Sequence, residues 1–480
     1  MLIEKKDTEQ KNRRALVLAG GGIRVAYQVG ILKAMEEKGL TFNHVDGTSG
    51  GIFNAAMLAS GHAVDKMIDK WKSLPIKYFA SLARFNDYLT PWKLKGLGDA
   101  DNIQKRVLPH FEVEVDRIHK LDLPISFSLC NFSNKTVQAI PAGEIKENHL
   151  LAGVSLPILM PALQVGKDWF IDAVWVKDAN LMEAVRRGAE EIWLIWGIGN
   201  YPSYFPGALH QYVHSIEMSA NGALWEEFEQ IKLINKTIEK GHSEYGQQQK
   251  IKVFIIKPNF PLPLDPELFL RKITSRDLIN MGYQDAKSYF LTDQNTAEKL
   301  DYQATQTRDA GDYIGIRLQY TGNLVFNDKL EKVRYYVLLR FSSSASLEQL
   351  EVYSSVYIGY YNKEFLGGKH EVSVKSLGTF FSLETTSTLT IEGKEYTMIA
   401  NIHCKGPWYC LAGLDFKTAE IILYPRHEPD PKVLMEGWLR QSFGSRLNAT
   451  WNALAKKKNG ARGGIKFKFN LIKNMIQHEV

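Results

Sequence analysis

Apolar residues recur along the chain in two rhythms, and the change between them falls near residue 310. Over the first three hundred residues, short apolar runs alternate with amphipathic stretches. Ala15-Leu16-Val17-Leu18, Ile192-Trp193-Leu194-Ile195-Trp196 and Ile251-Lys252-Val253-Phe254-Ile255-Ile256-Lys257 have the length and density of strands buried on both faces. Val25 to Lys38 places apolar residues near i, i+3 and i+4 and is followed by Gly39, a residue suited to C′, so it predicts a helix. Residues 178–188 and 205–240 predict further helices. Strands alternating with helices indicate a parallel-sheet α/β domain, whose active groups collect at the carboxyl ends of its strands. Leu123 to Leu129 and Thr136 to Ile140 predict strands joined by a turn at Asn131 to Lys135, and Leu163 to Asp172 predicts a hairpin turning at Gly166-Lys167-Asp168.

From about Gly311 the rhythm becomes one of short β-rich runs: Tyr313–Tyr320, Val333–Phe341, Val352–Tyr361, Val372–Leu377, Thr388–Ile391 with Glu395–Ile399 across a Glu392-Gly393-Lys394 turn, and Glu420–Tyr424. Repeated strands with glycine-rich turns predict a smaller second domain, a sandwich or small barrel, with no catalytic motif. It could bind a ligand, a partner or lipid, or mediate assembly. A helix is expected over Lys432 to Leu454. The resulting division is a polar tail over 1–13, an α/β domain over 14–300, a β-rich domain over 310–427, and a C-terminal helix with a basic tail over 428–480.

Candidate chemistry gathers at two strand ends. Gly47-Thr48-Ser49-Gly50-Gly51 stands between a strand and the helix through Phe53-Asn54-Ala55-Ala56-Met57-Leu58-Ala59. Small neighbours permit the strained turn that lifts a serine hydroxyl clear of a sheet, and the helix N-terminus behind it favours negative charge. Ala19-Gly20-Gly21-Gly22-Ile23-Arg24 makes a second strand–loop–helix junction whose backbone N–H groups face an anion. A phosphate is one candidate anion, although the loop lacks both the Lys-Ser/Thr ending of a P-loop and a G-x-G-x-x-G spacing. An oxyanion beside the serine is the better one. Asp172 follows Trp169-Phe170-Ile171, where partial desolvation would raise its pKa and suit it to act as a base; a turn-capping role is the alternative. The aromatic-rich stretch between Ser73 and Leu97 suits either a lid over an apolar pocket or an ordinary core-packing excursion.

Taken in order, Gly20-Gly21-Gly22-Ile23-Arg24, Gly47-Thr48-Ser49-Gly50-Gly51 and Asp172 resemble the three blocks of the patatin-like phospholipases, with Ser155, Pro157 and Pro161 similar to the stretch ahead of that family's aspartate. The resemblance covers about residues 14–300. It implies a patatin-like sandwich built on a parallel sheet, Ser49 as nucleophile, Asp172 as its partner in a dyad without histidine, Gly20, Gly21 and Gly22 as the oxyanion hole, and Arg24 shaping that loop. The implied activity is lipid acyl hydrolysis on a phospholipid or other acyl lipid, with no cofactor or metal. An inactive scaffold and an acyltransferase are the rivals, and the family's regulated effectors are an analogy for the added domain. Two positions depart from the pattern: Val25 where the family often has glycine, and Ala173-Val174 after the aspartate. His44, ahead of the elbow, reads as a structural histidine.

Composition narrows the surroundings. With 45% hydrophobic, 11% aromatic and 23% charged residues, 480 residues can bury a sizeable core. A net charge of +6 is small for this length and, with no recognised module, argues against nucleic acid. Cys130, Cys404 and Cys410 have neither disulfide-framework nor zinc spacing, which fits reduced thiols in a cytosol. The polar start from Met1 to Arg14 has no apolar core of a secretory signal, and no apolar run reaches the roughly 18 residues that span a bilayer. A cytoplasmic protein is expected, peripheral at most. Lys456-Lys457-Lys458, Arg462, Lys466, Lys468 and Lys473, interleaved with Ile465, Phe467, Phe469, Leu471 and Ile472, suit transient contact with an anionic membrane surface, or equally a solvated tail or a lysine-gated sheet edge.

Overall fold

The computed structural model describes residues 2–4, 13–79, 96, 98–198, 200, 204, 206–291, 297–308, 311–342, 350–377, 380–405, 416–451 and 454–457. It divides into two compact units, one made of Met1–Pro202, Pro206–Phe269 and Tyr289–Arg308, the other of Ser203–Phe205, Leu270–Ser288 and Asp309–Val480.

The first unit is built on an eight-stranded mixed sheet. Its strands are β1 (Arg14–Leu18), β2 (His44–Thr48), β3 (Ile125–Asn131), β4 (Thr136–Pro141), β5 (Leu163–Val165), β6 (Asp168–Ile171), β7 (Glu191–Ile195) and β8 (Lys252–Ile256), in the order β5-β6-β3-β2-β1-β7-β8 with β4 also on β3. The five central and distal strands β3, β2, β1, β7 and β8 run parallel, as the apolar runs predict. The sheet is not parallel throughout, because β4 and β6 return antiparallel to β3, and β5 and β6 form the expected hairpin. That antiparallel end brings the chain after β6 back to the carboxyl end of β2. Helices cover the sheet. Ala15, Val17, Ile192, Leu194, Val253 and Ile255 alternate onto one face, where they pack with Ala220, Leu224, Phe228 and Ile231 of the single long helix Ala208–Ile238. No helix among the described residues is long and apolar enough to cross a membrane.

The second unit is an antiparallel ten-stranded sheet: β9 (Tyr313–Phe326), β10 (Lys329–Ser342), β11 (Glu351–Ile358), β12 (Lys363–Leu366), β13 (Glu371–Leu377), β14 (Phe380–Ile391), β15 (Lys394–Lys405), β16 (Thr418–Pro425), β17 (Met435–Arg440) and β18 (Leu454–Lys456). The order is β12-β11-β10-β9-β17-β16-β15-β14-β13, with β18 on β9. Gly367, just past β12, bridges Leu389 of β14, so the sheet curls until it meets itself. Every second residue points into one core, as Ile314, Ile316, Leu318 and Tyr320 do on β9 and Val333, Tyr335, Val337 and Leu339 do on β10.

Two expectations are corrected. Met435–Arg440 is a strand, not the start of a helix, because Met435 and Leu439 face the core while the residues between them are largely exposed; the helix is confined to Phe443–Trp451. The residues Leu270–Ser288, read from sequence as part of the α/β domain, cluster with the β-rich unit, where Asp277 pairs with Arg317 at 2.8 Å and Gln284 accepts from His370 Nδ1 at 2.9 Å. The basic segment beyond residue 457 and residues 80–95 of the aromatic stretch lie outside the described residues. Phe79, at the near edge of that stretch, stacks on Trp71 and meets Phe53 edge-on.

Candidate active site

Ser49 sits between β2 and the helix Gly51–Ala59, at φ 51°, a left-handed conformation that a serine rarely adopts. The turn is forced by close packing behind it: a Cβ built on Gly51 would overlap the carbonyl oxygen of Leu18 at the end of β1. This turn directs the Ser49 hydroxyl toward Asp172. Ser49 Oγ donates to Asp172 Oδ2 at 2.7 Å. Both side chains are buried, at 2% and 1% exposure.

Asp172 arrives where β6 runs out. Its own N–H donates to the carbonyl of Ser155 at 3.1 Å, and its Oδ1 accepts from Val174 N–H at 2.9 Å, so the carboxylate is fixed from two sides. Burial pushes it up to about 7, against the opposing hydrogen bonds from Ser49 and Val174. The departures at Ala173-Val174 cost the backbone nothing: neither residue has positive φ, and the contact to Asp172 comes from a main-chain N–H that any residue but proline supplies.

The glycine loop follows β1 and leads through a short 3-10 turn, Gly22–Val25, into the helix Ala26–Glu37. Gly21 and Gly22 both have positive φ, at 147° and 61°, and both line a pocket that opens on Ser49. Gly20 is different. Its N–H donates to the backbone carbonyl of Asp178 at 3.1 Å, so of the three expected donors it is the one already committed. Arg24 lies against the loop, its Nε donating to the Gly21 carbonyl at 3.0 Å and standing 3.7 Å from Asp265 Oδ1. Asp265 in turn accepts from the Ile23 N–H.

Behind the loop runs a chain of buried polar groups. Trp71 Nε1 donates to Asn54 Oδ1 at 2.8 Å, Asn54 Nδ2 donates to Gln28 Oε1 at 2.8 Å and to the Val25 carbonyl at 2.9 Å, and Gln28 Nε2 donates to the Ala19 carbonyl at 2.6 Å. Two of these bonds end on backbone flanking the glycines, at Val25 and Ala19, so the helix after Ser49 and the helix after the glycine loop are held in one register. His44 is buried away from the dyad, its Nδ1 bonded to the Pro124 carbonyl at 3.0 Å, and burial lowers it to about 3. It is a structural, neutral histidine.

The pocket holds about 280 Å³ and is mostly apolar, walled by Leu156, Leu159, Ile198, Val213, Ile216 and Leu264, with Ser49, Arg24 and Asp178 among its polar residues. Such a lining takes an extended hydrocarbon and leaves the polar groups to orient one end of it. Asp178, Asp265, Gln28, Asn54 and Trp71 were not singled out by sequence. The available signal was a lone Gln or Asn in each of two otherwise apolar helix starts, Ala26-Tyr27-Gln28-Val29 and Ile52-Phe53-Asn54-Ala55.

Residues 16–185 match the family model of patatin-like phospholipases. The lysophospholipase NTE1 of Kluyveromyces lactis is 27% identical over 183 residues, 38% of this chain and 12% of that one, and NTE1 of Candida glabrata is 24% identical over the same share, 10% of its own length. The uncharacterized protein YqhO of Bacillus subtilis is 36% identical over 96 residues, 18% of this chain and 33% of that one. This chain thus spans about a tenth of the length of the yeast relatives. Among solved structures, VipD from Legionella pneumophila aligns with 59% of this chain and 69% of its own at 12% identity and a TM-score of 0.27. Residues 16–185 form a patatin-like phospholipase domain.

Proposed function

We propose that the protein is a lipid acyl hydrolase of phospholipase A or lysophospholipase type that works through an acyl-enzyme on Ser49. The observation that carries this reading is the 2.7 Å hydrogen bond from Ser49 Oγ to a buried Asp172 at an apolar pocket. Asp172, poised near 7, accepts the Ser49 proton as Oγ attacks the ester carbonyl. The N–H groups of Gly21 and Gly22 stabilise the oxyanion, with Arg24 holding their loop. Asp172 returns the proton to the departing alkoxide, and water attacking the acyl-enzyme then releases the fatty acid. The pocket takes the acyl chain, no metal or cofactor enters the scheme, and the substrate is an acyl lipid drawn from a membrane surface by a cytoplasmic enzyme.

The test is mass spectrometry of mixed phospholipid and lysophospholipid vesicles incubated with the wild type, Ser49→Ala and Asp172→Asn. Fatty acid released by the wild type alone supports the reading. Equal release by all three overturns the Ser49–Asp172 mechanism, and no release together with no reaction of Ser49 with a fluorophosphonate overturns the reading in favour of an inactive scaffold.

A further inference from the structure

Asp178 is fully buried, lines the pocket beside Ser49, and has neither carboxyl oxygen in hydrogen-bond geometry with any described residue. A buried polar group left so costs about 1–3 kcal/mol, so an orphaned carboxyl in an active-site wall calls for a partner that arrives from outside. Its position is specific. A Cβ built on Gly20 would overlap Asp178 Oδ1 and stand 2.7 Å from Ser49 Cβ, so the carboxyl and the nucleophile share the space above Gly20. Glycine at 20 is what leaves that space open. The same residue gives its N–H to the Asp178 main-chain carbonyl at 3.1 Å, which takes one of the three loop amides away from an incoming oxyanion.

We propose that the Asp178 carboxyl, in its neutral form, is a hydrogen-bond donor to the oxyanion, standing in for the committed Gly20 amide beside Gly21 and Gly22. This assignment rests on the serine-hydrolase reading above. The protonation state agrees with it: burial is the main reason that Asp178 is raised well above the ordinary carboxylate range, the nearby Asp172 adds to it, and the Arg24 charge and the dipole of the adjacent Gly20 amide oppose, although that amide's hydrogen bond goes to the main-chain carbonyl and to neither carboxyl oxygen. In this assignment Asp172, which accepts the hydrogen bond from Ser49 Oγ, serves as base, while Asp178 keeps its proton and serves as donor, the division of labour expected when two neighbouring acids sit in unequal environments. In the attack Ser49 Oγ bonds to the carbonyl carbon, its proton passes to Asp172, and the carbonyl π pair moves onto oxygen. Asp178 donates to that oxygen and retains its proton throughout.

The experiment measures kcat and KM for p-nitrophenyl butyrate, and the rate at which a fluorophosphonate labels Ser49, in the wild type, Ser49→Ala, Asp178→Ala and Asp178→Asn. The fluorophosphonate forms an Oγ–P bond, expels fluoride and places its P–O oxygen in the same oxyanion site. Loss of one such donor lowers kcat and the labelling rate about 100-fold in Asp178→Ala, with KM within about threefold of wild type. Asp178→Asn, which keeps a donor of the same size, recovers most of both rates; a merely structural contact would not produce that split or that rescue. Should Asp178→Ala not fold, Asp178→Leu, of similar size and with no donor, carries the same comparison. The assignment is overturned if the donorless variant stays within about threefold of wild type while Ser49→Ala is dead, if Asp178→Asn is as slow as Asp178→Ala, or if the loss lies in KM alone. Activity that survives Ser49→Ala, or a wild type that neither turns over ester nor labels, overturns the serine reading and this assignment together.

Discussion

In the proposed reaction, one proton on Asp172 couples rate and stability. Asp172 can accept the Ser49 proton only when ionised, and burial has moved that ionisation up to about 7. The rate constant kcat/KM should therefore rise about tenfold per pH unit below 7 and level off above it, measured between pH 5 and 9; an ordinary carboxylate would give a flat profile over that range. The same shift acts on folding with a definite sign. The folded state holds the Asp172 proton more tightly than the unfolded chain, so stability falls as pH rises from the unfolded value of 3.8 toward 7, and the full loss persists above that. Asp172→Asn removes the charge, so it should abolish turnover and raise the melting temperature at pH 8, with the gain shrinking toward pH 4. Thermal denaturation at the two pH values checks this. That Ser49 and Asp172 would meet was expected because each stands at a strand end within blocks that resemble one family's pattern, and the structure brings them to 2.7 Å. Asp178 was not, because what singles it out is the absence of partners in three dimensions, and Lys177-Asp178-Ala179-Asn180 looks like any polar loop.

At the scale of elements, the site is a meeting of two strand–turn–helix junctions fastened by the Trp71–Asn54–Gln28 chain. Asn54 is the centre of it, bonded to Trp71, Gln28 and the Val25 carbonyl at once. Asn54→Leu leaves Trp71 Nε1 and the Val25 carbonyl buried without that partner, which should cost about 2–4 kcal/mol of stability and loosen the glycine loop. Trp71→Phe breaks one link only and should cost about 1–2 kcal/mol. Denaturant midpoints for the two variants, with ester turnover measured beside them, test whether the loop depends on the chain. Element type was largely readable: the apolar runs became β1, β7 and β8, and the 163–172 hairpin stands as β5 and β6. Element length was less so. The Thr388–Ile391 strand extends back to Phe380 and its partner on to Lys405, since Ser382, Glu384 and Thr386 on one face of β14 dilute an alternation that the sheet nevertheless enforces. The strand Met435–Arg440 hid for a similar reason, with two core residues four positions apart fitting a helical period as well as a β one.

Across the whole molecule, two units meet the same problem of burying a sheet by different means. The first covers its sheet with helices and concentrates its costly features at the strand ends: the strained Ser49, the raised Asp172 and the orphaned Asp178. The second curls its sheet over a core of its own and links some of its buried polar residues, as where Ser354 Oγ donates to His370 Nε2 at 2.8 Å and His370 Nδ1–H donates to Gln284 Oε1 at 2.9 Å. Burial lowers His370 to about 3, so the folded unit excludes a proton that the unfolded chain takes up near 6.5. Its stability is therefore fully present above the unfolded value and is lost as pH falls from about 6.5 toward 3, the opposite sense to Asp172. Leu339 lies at the centre of that core, fully buried among the residues of neighbouring strands. Leu339→Ala should cost about 2–5 kcal/mol. Hydrogen exchange read strand by strand localises that loss: protection should fall along β9, β10 and β11, which pair through Leu339's own register with Ile316 and Val352. An undiminished protection in those three strands would mean that the second sheet does not unfold as the cooperative unit its single core implies.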